Sequence, residues 1–169
     1  MHVLFPRDQI EERVEEMAAE ITRDFRGESV LLIGVLKGAA IFLADLARAI
    51  ELDATFDFIG VASYNGTLTT GEVRVTKDLD QSVRERNVIL VEDILDTGLT
   101  LSYLKKLLAA HEPRVLKIAA LLDKPSRRQL PITADYVGFT VGDEFLVGYG
   151  LDLGEQYRNL PDICVLPKI

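Results

Sequence analysis

Apolar residues recur along this chain in two rhythms that alternate. Across "RDQIEERVEEMAAEITRDF", Ile10, Val14, Met17, Ala18 and Ile21 fall at helical spacing, which predicts an amphipathic opening helix with Asp8 as its cap and Gly27 as its stop. Continuous apolar runs follow in "SVLLIGVL", "FDFIGVASY", "VILVED" and "VLKIAALLD", and each predicts a buried strand. Between them "GAAIFLADLARAI" and the segment from Leu99 return to the helical rhythm. Strands that are apolar on both faces, alternating with helices, predict a central parallel sheet flanked by helices on both sides. The expected class is α/β.

Two regions break the alternation. "SYNGTLTTGEVRVTKD", residues 63–78, carries Asn65-Gly66 and Thr70-Gly71 in a polar setting and predicts a hairpin excursion or mobile loop. After Lys124 the chain turns to short pieces, "ADYVGF", "FLVGYG" and "DICVL", separated by turn residues. They predict a small β-rich hood, about residues 124–169, within one domain spanning 1–169.

Composition narrows the classes. At 169 residues, with 48% hydrophobic and 27% charged positions, the chain has the makings of one folded domain. A net charge of −8 opposes broad binding to nucleic acid or to an anionic membrane, since both need an extended positive field. The opening residues lack a basic start and a long apolar core, and Lys37 and Asp45 interrupt the apolar stretches, so no membrane span and a cytoplasmic setting are expected. The lone Cys164 has no partner for an internal disulfide, and an apolar strand around it favours a core role over a nucleophilic one. His2 and His111 have no ligand partners at metal spacing.

The chemistry concentrates at strand ends, where open parallel sheets bind ligands. Leu36-Lys37-Gly38, the run from Glu92 to Thr100, and Asp123-Lys124 all occupy such ends. In "VILVEDILDTGLTLSYL" an apolar strand delivers Glu92 and Asp93, and then Asp96, with no Lys or Arg between Asn87 and Leu104. A Thr- and Gly-containing turn opening a helix aims N–H groups and the positive helix end at one point, and this suits a phosphate monoester. Carboxylates just ahead of it suit sugar hydroxyls or a divalent cation. A phosphorylated sugar with a metal satisfies both.

The whole pattern, apolar strand, Glu-Asp, two apolar residues, Asp-Thr-Gly-x-Thr and helix, resembles the phosphoribosyl pyrophosphate signature of type I phosphoribosyltransferases. "GVLKGAAIFLADL" resembles the pyrophosphate loop and following helix of the hypoxanthine-guanine subfamily, and "SYNGT" the start of its lid. "LLDKPSRR", "ADYVGF" and "FLVGYGLDLGEQYRNLP" are similar to its purine-binding hood in order and spacing. The resemblance implies the type I phosphoribosyltransferase fold, with the N-terminal region joining the hood.

It also implies roles. The turn Asp96, Thr97, Gly98, Leu99 and Thr100 would bind the 5′-phosphate of phosphoribosyl pyrophosphate, and Glu92 and Asp93 would face the ribose hydroxyls, with Mg²⁺ as cofactor. Lys37, Gly38 and Arg158 would serve the pyrophosphate, and Asp152, which belongs also with the purine-binding residues, would contact metal together with Glu92 and Asp93. Asp96 takes the place of the general base, although as an isolated residue it reads equally as a helix N-cap. Lys124 would donate to the exocyclic oxygen of a 6-oxopurine, Phe145 would stack on the base and Leu146 would meet the purine edge through its backbone. Ser63 and Tyr64 would head the lid, and the Leu36-Lys37 peptide can be cis in this family. Leu99 departs from relatives that carry lysine there, which leaves the turn dependent on backbone N–H groups and Thr hydroxyls.

The implied activity is Mg²⁺-dependent transfer of phosphoribosyl to hypoxanthine or guanine, by a homodimer or homotetramer. Two alternatives stand beside it. One is a xanthine-preferring phosphoribosyltransferase, since Lys124 reads only the 6-oxo group. The other is a phosphoribosyl-pyrophosphate-sensing regulator, against which the net charge of −8 and the isolated basic cluster "PSRRQ" both argue.

Overall fold

The computed structural model describes residues 1–63 and 73–168. In chain order they form β1 (His2–Phe5), α1 (Arg7–Asp24), β2 (Val30–Leu36), α2 (Ala40–Ala49), β3 (Ala54–Ser63), β4 (Val73–Lys77), β5 (Asn87–Leu95), α3 (Leu99–Ala109), β6 (Val115–Asp123), β7 (Tyr136–Thr140), β8 (Phe145–Val147) and β9 (Ile163–Leu166). Six strands make the main sheet in the order β4-β3-β2-β5-β6-β7, parallel throughout except for β4.

Alternate residues of the central strands feed two cores. Val30 and Leu32 of β2, with Ile89 and Val91 of β5, pack under α1 and α2. Leu31 and Ile33, with Val88 and Leu90, pack under Leu101, Leu104 and Leu108 of α3. Burying a large aliphatic side chain contributes about 1.5–3 kcal/mol, so strands apolar on both faces are stable only with both faces covered.

The α1 core face is the one expected, since Ile10, Val14, Met17, Ala18 and Ile21 are all buried. Its start is capped differently. Pro6 holds the N-cap position, Asp8 lies in the first turn and accepts from Gln9 N at 2.9 Å, and the Arg7 N–H donates to Asp162 Oδ1 at 2.8 Å. A carboxylate distant in sequence satisfies the open helix end in place of Asp8. The helix ends at Asp24, and Gly27 follows in the left-handed conformation at φ 82°.

The later short pieces divide between two sheets. β7, expected in the hood, pairs in parallel with β6 and closes one edge of the main sheet. Its five-residue run is too short for periodicity to say which sheet it joins. The hood sheet has the order β1-β9-β8, antiparallel, and its outer member β1 comes from the N-terminus. Phe5 of β1 stacks on Phe139 of β7 with centroids 4.0 Å apart, which joins hood to sheet. Leu146, Tyr149, Leu151, Ile163 and Val165 share the core beneath α1 and α2. On the opposite edge β4 returns antiparallel to β3, as a hairpin requires. Its Asn65-Gly66 and Thr70-Gly71 turns lie outside the described residues.

Candidate active site

The carboxyl ends of β2, β3 and β5 and the loop after β6 converge on a cleft of about 460 Å³. Glu92, Asp93, Asp96, Thr97, Gly98 and Thr100 form one wall, and Gly38, Asp152 and Arg158 another. Residues from three separate stretches of sequence therefore meet at one opening.

The acidic pair is set by β5. Glu92 is 8% exposed and its Oε1 accepts the Asp93 N–H at 3.0 Å, while Asp93 Oδ1 accepts from Ile94 N at 2.8 Å. Burial, reinforced by the adjacent Asp93 charge and a side-chain hydrogen bond to it, pushes the Glu92 carboxyl well above its ordinary value. A buried acid beside a second acid is poised for a cation or for hydroxyl donors.

The Asp96–Thr100 turn leads into α3 through Gly98, the N-cap residue at φ 87°. A Cβ on Gly98 would also stand 2.5 Å from Ile132 Cγ2, so the turn is packed against the 128–132 loop. Asp96 is not the helix cap. Its carboxylate faces Arg127, with Nε–Oδ1 at 3.2 Å. Thr97 Oγ1 accepts from Leu99 N at 3.3 Å, and Leu99 itself lies outside the cleft lining.

Opposite, the Leu36–Lys37 peptide is cis. Lys37 Nζ lies 2.8 Å from Glu155 Oε2, and Arg158 Nη2 lies 3.1 Å from Glu155 Oε1 and 3.3 Å from Asp152 Oδ1. The two cations hold the Glu155 carboxyl below its ordinary value, Lys37 contributing most. Arg158 Nη1 donates to Gly150 O at 2.6 Å, which fixes the guanidinium at the cleft edge.

Lys124, Phe145 and Leu146, the expected purine-binding residues, lie outside the cleft lining. Lys124 is buried, its N–H donates to Leu95 O at 2.9 Å, and its ammonium donates to the Glu144 carbonyl. Phe145 is 46% exposed on β8, the edge strand of the hood sheet, whereas the Leu146 side chain is core. Of the two lid positions, Ser63 ends β3 opposite Val73, and Tyr64 lies outside the described residues.

Three further residues escaped the sequence reading. Arg127 and Gln129 line the cleft, and Arg128 braces it from behind. Arg128 donates to Asp96 O at 2.6 Å, Leu95 O at 3.1 Å and Ile132 O at 3.0 Å, and pairs with Asp123. The adjacent arginines after a strand end were the available signal; their small number made them look like surface charge.

A divalent cation must be weighed against these donors. No group of three or more acidic, His or Cys side chains converges as a cage among the described residues. Asp152 is engaged on both oxygens, by Arg158 and by the Glu155 N–H at 2.8 Å. Asp93, half-buried in the cleft wall, fits Mg²⁺ that arrives with a polyanion, since Mg²⁺ keeps several waters and takes one or two carboxylates plus substrate phosphates.

Comparison with known proteins agrees with this geometry. The phosphoribosyl transferase domain model matches residues 6–153. Hypoxanthine-guanine phosphoribosyltransferase of Bacillus subtilis is 50% identical over 165 residues, covering 97% of this chain and 92% of that one. The bifunctional protein TilS/HprT of Listeria innocua is 48% identical over 99% of this chain, which spans only 26% of that longer protein. A crystal structure of a Bacillus anthracis hypoxanthine-guanine phosphoribosyltransferase, with HEPES in its active site, superposes at a TM-score of 0.96, with 50% identity and 99% of both chains covered. With its acidic pair and Asp96–Thr100 turn on one cleft, a family model matching most of its length and half-identical relatives spanning nearly all of it, this chain belongs to the phosphoribosyltransferase family and has the type I fold.

Proposed function

We propose that the chain transfers the phosphoribosyl group of 5-phosphoribosyl 1-pyrophosphate to hypoxanthine or guanine, releasing pyrophosphate in purine salvage. The names of its half-identical relatives support this reading. The observation that carries it is the hydrogen bond from Lys124 N to Leu95 O, 2.9 Å, which sets a buried lysine beside the strand end that delivers Asp96. The backbone of the residue that would read a 6-oxo substituent is thus tied to the strand end that carries the residue able to take a proton.

The reaction joins a purine ring nitrogen to the anomeric carbon as pyrophosphate leaves. Positive charge grows on the ribose and negative charge on the leaving group, as in glycoside hydrolysis. The Asp96–Thr100 turn holds the 5′-phosphate and Glu92 and Asp93 accept from the ribose hydroxyls. Lys37 and Arg158 meet the pyrophosphate, so their attraction strengthens as the bond breaks. Asp96 accepts the proton from the other imidazole nitrogen. Lys124 donates to the 6-oxo group and rejects the amino group of adenine, because donor would face donor. Phe145 covers the base, Leu146 offers its backbone, and Ser63 and Tyr64 belong to the closing lid. Mg²⁺ arriving with the substrate would be held by Glu92, Asp93 and, once Arg158 and the Glu155 N–H release it, Asp152, and would supply charge neutralisation at the leaving group.

The reading extends to one domain acting as a homodimer or homotetramer in the cytoplasm. Phe56, 55% exposed and edge-on to Phe58 on β3, supports self-association, and sedimentation measures it. The buried, unpaired Cys164 suits a reducing compartment.

Product formation from phosphoribosyl pyrophosphate, Mg²⁺ and each of hypoxanthine, guanine, xanthine and adenine tests the function, with Asp96→Asn alongside. Turnover of the 6-oxopurines, lost without Mg²⁺ and reduced about 10²–10⁴-fold in the variant, is expected. Preference for xanthine would replace the base assignment. Absence of turnover with ligand still bound would favour a sensor.

A further inference from the structure

The phosphate turn has no cation of its own. Asp96, Thr97, Gly98, Leu99 and Thr100 carry one negative side chain and no positive one, and Glu92 and Asp93 stand just ahead of them. A dianion held there by N–H and hydroxyl donors alone would sit in the field of three carboxylates.

Among the described residues lining the cleft, the basic ones are Arg127 and Arg158. Arg158 is committed at the far end, to Gly150, Asp152 and Glu155. Arg127 stands at the turn, its Nε 3.2 Å from Asp96 Oδ1 and its Nη1 3.5 Å from Asp143 Oδ1. Its side chain is half exposed, so the guanidinium can move. Its backbone is anchored, because Arg127 N donates to Lys124 O at 3.1 Å and Gln129 N donates to Thr97 O at 2.8 Å. The loop that carries Arg127 is therefore hydrogen-bonded to the turn that would receive the phosphate.

We propose that Arg127 is the cationic ligand of the substrate's 5′-phosphate, lent by the loop after β6 to a turn that lacks one. A planar guanidinium matches two phosphate oxygens as it matches a carboxylate, and a dianion engaging both competes with the separate, exposed carboxylates of Asp96 and Asp143. Engaging the phosphate draws Arg127 away from Asp96 and frees that carboxylate for the purine proton. This inference rests on the phosphoribosyl-transfer reading.

The test compares wild type, Arg127→Gln and Arg127→Lys for kcat, for KM of both substrates, and for inhibition by ribose 5-phosphate and by pyrophosphate. In Arg127→Gln the KM for phosphoribosyl pyrophosphate and the inhibition constant of ribose 5-phosphate should both rise about tenfold, the scale of one charge-assisted hydrogen bond at a half-exposed site. Inhibition by pyrophosphate should change less than twofold, and Arg127→Lys, which restores the charge without the two-oxygen fork, should recover part of the loss. Equal weakening of both inhibitors, no weakening of either, or a fall in kcat alone would overturn the assignment. Absence of turnover in wild type would count against the parent reading instead, and calorimetric binding of ribose 5-phosphate to wild type and Arg127→Gln would still decide the role of Arg127.

Discussion

Gly38 lies so close to Asp93 that a Cβ built on it would stand 2.0 Å from Oδ2. Its carbonyl is approached from the other side by Gly150, at φ 99°, where a Cβ would stand 2.3 Å from the Gly38 oxygen. Two glycines thus let the loop after β2, the acidic pair of β5 and the hood segment meet without side chains between them.

Gly38→Ala must therefore displace the Asp93 carboxylate or the loop itself. A misplacement of about 1 Å near the reacting groups costs on the order of 10²-fold in rate, so kcat/KM should fall by that order while the fold survives. Steady-state kinetics with circular dichroism checks both halves.

Glu92 keeps its proton to higher pH in the folded state than in the unfolded chain, whose ordinary value is 4.5. The folded state then binds more protons above pH 4.5, and stability declines as pH rises from there through the raised folded value. Glu92→Gln removes this cost. At neutral pH its Tm should rise by a few degrees, about 2–4 °C per kcal/mol in a chain of this size, while ribose binding and turnover fall at least tenfold. Paired melting curves and assays would detect an opposite change.

Tyr149 donates to Asp45 on α2, and Tyr136 donates to Asp24 at 2.7 Å. Burial first, and the carboxylates second, hold both phenols well above the ordinary 10.0. Above pH 10 the unfolded chain releases these protons and the folded chain does not, so this stability is full below pH 10 and is lost as pH rises past it. Tyr149→Phe should cost about 1–3 kcal/mol at neutral pH by stranding Asp45, and should make the alkaline decline shallower. Urea titrations at pH 7 and above pH 10 measure both.

Arg128 braces the Asp96–Thr100 turn, bound to three carbonyls and to Asp123. Arg128→Met takes the Arg128 donors from Asp96 O and Ile132 O, leaves Leu95 O with Lys124 N alone and strands Asp123, and stability should fall by about 2–4 kcal/mol. The KM for the phosphorylated substrate should rise more than that for the purine. Equal changes in the two would show that the brace acts on the whole cleft.

The sequence by itself determined the alternation of buried strands and amphipathic helices, because short-range periodicity reports which faces are covered. It also carried the acidic pair and the Asp96–Thr100 turn that opens α3, since their spacing is local to one strand end. Tertiary structure decided what depends on distant partners. Asp162 caps α1 from 155 residues away, and Arg127 reaches Asp96 across 31. β1 completes the hood and β7 leaves it for the main sheet, choices that a four- or five-residue apolar run cannot express. The contact of Gly38 with Asp93 and Gly150 was invisible for the same reason: a glycine's lack of a side chain has meaning only once the atoms that would collide with it are in place.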